Sequence, residues 1–93
     1  MQPILIADDN EGITEVLATY VAGEGYEPVI AHDGIEAVQL FQKCNPVCVL
    51  LDIMMPGMDG YRVCDKIRGV SDVPIILITA KGEDYERVMG LDN

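Results

Sequence analysis

Four polar residues stand where a short apolar run ends. Asp8 and Asp9 follow Ile4 to Ala7, Asp52 follows Val47 to Leu51, and Thr79 follows Ile75 to Ile78. Ionised carboxylates only accept hydrogen bonds, and crowded together they repel one another. A hard divalent cation removes that conflict, and Mg2+ is typically held by one or two carboxylates plus waters and phosphate oxygens. Beside such an ion one carboxylate can stay ionised and attack phosphorus, the aspartyl-phosphate form of covalent catalysis. The cation offsets charge on the transferring group, and a threonine hydroxyl can donate to phosphoryl oxygens. Singly, each residue has a plainer reading: a solvated helix start for Asp8-Asp9, a strand end for Asp52, a turn residue for Thr79. Their shared placement after three apolar runs favours the chemical reading.

Strands alternating with helices must position these groups. Ile4 to Ala7, Glu27 to Ala31, Val47 to Leu51 and Ile75 to Ile78 read as strands, largely apolar and fit for burial on both faces. Between them run three helical patterns. Asn10 caps the first, whose stripe of Ile13, Val16, Leu17, Tyr20 and Val21 is expected to face the core before Gly23 and Gly25 end it. Asp33-Gly34-Ile35-Glu36 resembles a capping box opening the second, with Val38 and Phe41 inward and a stop at Asn45-Pro46. Asp59-Gly60 opens the third, with Val63, Cys64 and Ile67 on one face and Gly69 closing it. A fourth helical stripe is expected from Tyr85, Val88 and Met89. This α/β alternation predicts a parallel sheet with right-handed crossovers and all strand C-termini on one rim. If the strand order is 2-1-3-4, Asp8, Asp9 and Asp52 converge on one crevice at the switch point, where open α/β sheets bind ligands.

The chain of 93 residues suffices for one domain. Its net charge of −10, from 16 acidic and 6 basic residues, argues against a nucleic-acid surface or docking on an anionic membrane. With 49% hydrophobic residues the composition is globular. The N-terminus has neither a basic region nor a long apolar stretch, so a cytoplasmic location is expected. Cys44, Cys48 and Cys64 form no zinc or C-x-x-C spacing and are expected to be small apolar fillers in a reducing compartment. His32 is expected at the surface or boundary, away from the crevice.

At these residues the sequence resembles the receiver domain of bacterial response regulators, the phosphoacceptor of two-component signalling. The matching stretches are Ile4 to Asn10, Val49 to Gly60 and Pro74 to Lys81. The resemblance implies a flavodoxin-like, doubly wound sheet and a phosphoryl group passed from a phosphohistidine of a sensor histidine kinase to Asp52. It further implies Mg2+ held by Asp8, Asp9 and Asp52 with the backbone carbonyl of Met54, a switch hydroxyl at Thr79, and a loop shaped by Pro56, Gly57 and Gly60.

The family pattern also includes a fifth strand ending in lysine and a fifth helix, and residues 1–93 are expected to be a (βα)4 fragment without them. Lys81 follows the fourth strand and is read as a solvated loop charge. The expectation is therefore a receiver domain incomplete at its C-terminus, with an exposed fourth-strand edge and an uncovered sheet face. That surface would favour homo-oligomers and impair phosphotransfer. The alternative function is a self-associating scaffold without phosphotransfer. Other readings fit less well. An aspartyl phosphohydrolase wants a second acid where Met54 stands. A flavin module wants a hydroxyl- and glycine-rich phosphate loop where Asp8-Asp9 would repel an anion. A calcium loop from Asp8 would need glutamate where Thr19 stands.

Overall fold

Each helix begins on a side chain that accepts a hydrogen bond from its own first turn. In the computed structural model, which describes residues 1–78 and 89–90, Asn10 Oδ1 accepts from Ile13 N at 3.0 Å and opens α1 (Glu11–Gly23). Asp33 Oδ1 accepts from Glu36 N at 2.8 Å and opens α2 (Gly34–Cys44), and Asp59 Oδ1 accepts from Arg62 N at 3.0 Å and opens α3 (Gly60–Arg68). These short oxygen-bearing side chains satisfy amide groups that lack intrahelical partners.

The helix ends follow the same logic. Gly25, at φ +91°, donates its N–H to Ala22 O, and Tyr26 N donates to Val21 O, both at 3.1 Å. This is a Schellman closure, and Tyr26 packs near Val21 as that motif favours. Asn45 ends α2 in the left-handed region at φ 50°, ahead of Pro46. The capping box at α2 is displaced by one residue: Glu36 Oε1 accepts from His32 N at 2.8 Å instead of from the N-cap amide. His32 is exposed, as expected.

The strands are β1 (Pro3–Ala7), β2 (Glu27–Ala31), β3 (Cys48–Asp52), β4 (Ile75–Ile78) and β5 (Met89–Gly90). They form one sheet in the order β2-β1-β3-β4-β5. The first four are parallel, so the expected 2-1-3-4 order and flavodoxin-like α/β architecture hold. Alternate residues of β1 feed opposite layers. Leu5 and Ala7 pack with Ala37 and Phe41 of α2 and Val63 and Ile67 of α3. Ile4 and Ile6 pack with Val21 and Leu17 of α1. Among the described residues no helix is long and apolar enough to cross a membrane.

Three expectations change. The inward face of α1 is rotated toward Thr14 and Ala18, leaving Val16 at 61% and Tyr20 at 68% exposure. Thr14 can be buried because its Oγ1 donates to Glu11 O at 3.1 Å, so its hydroxyl keeps a partner away from water. Met89 is not helical: with Gly90 it pairs antiparallel to β4, opposite Leu77 and Ile76. The β4 edge expected to be bare therefore has partners for two of its residues, which narrows the surface on which the homo-oligomer expectation rested. Thr79, Lys81, Tyr85 and Val88 lie outside the described residues. The three cysteines are free and half-buried. Burial pushes all three thiols up, away from reactive thiolate.

Candidate functional site

The crevice is built by strand register. Ala7 pairs with Leu51, so Asp8 and Asp52 each stand one step further along adjacent parallel strands. Both are buried, at 4% and 8% exposure, while Asp9 is exposed. One carboxylate oxygen from each of the three lies within 4.8 Å of the other two. The sequence expectation that these acids share one rim is met in space. Opposite ligands of a Mg2+ ion span about 4 Å, given Mg–O distances near 2 Å. The donor set therefore fits one hard cation after a small side-chain adjustment.

Local hydrogen bonds orient the acids. Asp8 Oδ1 accepts from Asn10 N at 2.9 Å, and Asp52 Oδ1 accepts from Met54 N at 3.4 Å. Burial holds the Asp8 carboxyl above the usual carboxylate range; the Asn10 N–H pulls it back down, and the Asp9 charge raises it again. A buried acid so placed favours the arrival of positive charge, because a cation removes both the desolvation penalty and the repulsion. Met54 itself is 58% exposed.

The stretch after Asp52 is a closed loop. Ile53 N donates to Ile78 O at 3.2 Å, and Gly60 N donates to Ile53 O at 2.8 Å, pinching the neck. Met58 N donates to Pro56 O at 2.9 Å across Gly57, which sits at φ +82°. That backbone is open to glycine and strained for other residues. A Cβ on Gly60 would collide with the Asp52 carbonyl oxygen and stand 2.7 Å from Ile53 Cα. Close approach of α3 to the end of β3 thus requires the bare backbone. The resemblance implies a loop shaped by Pro56, Gly57 and Gly60; Gly34, whose backbone lies against Met58, carries no such mark in the sequence. No local pattern reveals that contact, since it joins residues from two elements. Thr79 would follow Ile78, the register partner of Asp52, but lies outside the described residues.

A family model for the response regulator receiver domain matches residues 4–93. The chain is 48% identical over 91 residues to the probable transcriptional regulator ycf27 of Galdieria sulphuraria, covering 98% of this chain and 36% of that protein. It is 39% identical over 92 residues to the DNA-binding response regulator MtrA of Mycobacterium leprae, covering 99% of this chain and 41% of that one. This chain thus spans less than half the length of these curated relatives. Among solved structures it resembles the response regulator TrrA of Thermotoga maritima, determined in complex with Mg2+ and BeF. The TM-score is 0.82 at 42% identity, covering 88% of this chain and 72% of that one. A match of this extent, on a sheet with this strand order and this acid crevice, means that the chain belongs to the family of response regulator receiver domains.

Proposed function

We propose that residues 1–93 act as one receiver module in which Asp52 is the phosphoacceptor for a sensor histidine kinase in the cytoplasm. A receiver is a signalling domain and not a classical enzyme. The observation that carries the reading is the convergence of Asp52 with Asp8 and Asp9 at the C-terminal ends of adjacent strands. A carboxylate oxygen of Asp52 attacks phosphorus of a phosphohistidine. The O–P bond forms, the N–P bond breaks, and the electron pair returns to the imidazole. Asp8, Asp9 and Asp52, with the Met54 carbonyl, are the groups that would hold Mg2+. When bound, the ion supplies positive charge that offsets the phosphoryl oxygens. The Met54 N–H steadies the Asp52 carboxylate, and the Asn10 N–H steadies Asp8. Thr79 follows the strand beside Asp52 and is assigned the hydroxyl that donates to the acquired phosphoryl group.

The test is native mass spectrometry of the chain with Mg2+ and a small phosphodonor, with Asp52→Asn alongside. A single phosphoryl adduct that is lost in the variant supports the reading. An assembled species without adduct supports instead the self-associating scaffold.

A further inference from the structure

The outer wall of the acceptor loop is the first turn of α2. A Cβ at Gly34 would collide with the carbonyl oxygen of Met58 and stand 2.7 Å from its Cβ and 2.8 Å from its carbonyl carbon. Real Cβ atoms do not approach that closely, so one side has to move. The wall itself is firmly seated. Asp33 caps it through Glu36 N, Glu36 takes the His32 N–H, and Ala37 and Phe41 are buried in the core beneath. Met58 meets Gly34 with its backbone, which cannot rotate aside as a side-chain tip could. The loop is anchored in the core by Met55 and leans on it through Met58, while Met54, Pro56 and Gly57 are exposed and are where it can give. Gly60 N is bonded to Ile53 O at the neck, so residues 54–59 are the stretch left to take up a displacement at Met58.

We propose that Gly34 is a positioning residue for the acceptor site. By carrying no side chain it lets the loop rest directly on α2, and that seat sets where the Met54 carbonyl and N–H stand relative to Asp52. The inference rests on the receiver reading and extends it to an element that contributes no ligand. Residues that orient ligands from behind commonly change metal affinity by roughly 10- to 100-fold when altered.

The test compares Gly34→Ala with wild type and with Gly23→Ala, whose added Cβ meets nothing within 4 Å. Three quantities are read at low temperature, where folded protein dominates: backbone amide shifts without metal, Mg2+ affinity by titration, and phosphoryl uptake at saturating Mg2+. The expected result for Gly34→Ala is altered amide shifts at Met54 and Gly57 and a Mg2+ affinity weaker by roughly 10-fold, with Gly23→Ala matching wild type. Merely structural packing would lower the melting temperature and leave the folded protein's Mg2+ affinity intact; that outcome overturns the proposal. If Gly34→Ala does not fold, Met58→Gly loosens the same seat without adding bulk. It is expected to weaken Mg2+ binding in the same direction, and unchanged affinity there overturns the proposal. A wild type that binds no Mg2+ overturns the receiver reading and this inference together. A wild type and a Gly34→Ala protein that bind alike overturn this inference alone.

Discussion

Asp8 and Asp52 stand side by side on neighbouring parallel strands, each one residue beyond the paired Ala7 and Leu51. Asp9 completes the group from an exposed position. Its contribution is therefore electrostatic more than structural. Asp9→Asn is expected to leave stability within about 0.5 kcal/mol of wild type and to lower the Asp8 titration midpoint, since the Asp9 charge helps to hold it up. Carboxyl NMR titration of the metal-free chain checks the shift, and urea unfolding checks the stability.

Asp8 also gives the fold a pH dependence of definite sign. Burial raises its folded-state value above the ordinary 3.8, so the folded chain holds the proton more tightly than the unfolded chain does. Stability from this group is full below that ordinary value and is lost as pH rises through the raised one. Metal-free Asp8→Asn should thus melt above wild type at neutral pH, with the margin narrowing as pH falls toward the ordinary aspartate range. Mg2+ should reverse the order, because wild type gains about 2.7 kcal/mol at a hundred times the dissociation constant and the variant gains little. Thermal melts across pH, with and without Mg2+, read both effects.

Asn10 has two separable duties. Its side chain caps α1, and its backbone N–H holds Asp8. Asn10→Ala removes the first and keeps the second. The expected outcome is a loss of about 1 kcal/mol in urea unfolding with phosphoryl uptake retained. Loss of uptake in the folded variant would show that the cap and the site are not independent.

The two layers of the sheet should differ sharply from the surface of α1. Leu51 is fully buried, and Leu51→Ala is expected to cost about 2 to 5 kcal/mol. Val16 lies on the outer face of its helix, so Val16→Ser should change stability by less than about 0.5 kcal/mol. Paired urea titrations give both numbers.

That contrast marks where the sequence was readable. Asp8, Asp9 and Asp52 were legible because each follows an apolar run, and strand ends of a parallel sheet share a rim. The helix starts were legible because Asn10, Asp33 and Asp59 act on residues three positions away. The inward face of α1 was not. Thr14 looks polar in a one-dimensional pattern, yet its hydroxyl is satisfied by Glu11 O and can be buried, which turns Val16 and Tyr20 to solvent. Gly34 was silent because its constraint comes from Met58, far along the chain. Met89 continues a helical stripe in the sequence, and its pairing with Leu77 depends on an open strand edge, a feature of the assembled sheet.

The interior place of β1, between β2 and β3, carries a consequence for the order of assembly. The first strand made is the template for two others, β2 on one side and β3 on the other. Pairing β1 with β2 closes the shorter loop and loses less chain entropy, so the unit of β1, α1 and β2 is expected to form early, with β3 and then β4 added to it. In denaturant-jump kinetics, shortening Leu5 or Ile6 should mainly slow folding, whereas shortening Ile75 or Leu77 should mainly hasten unfolding.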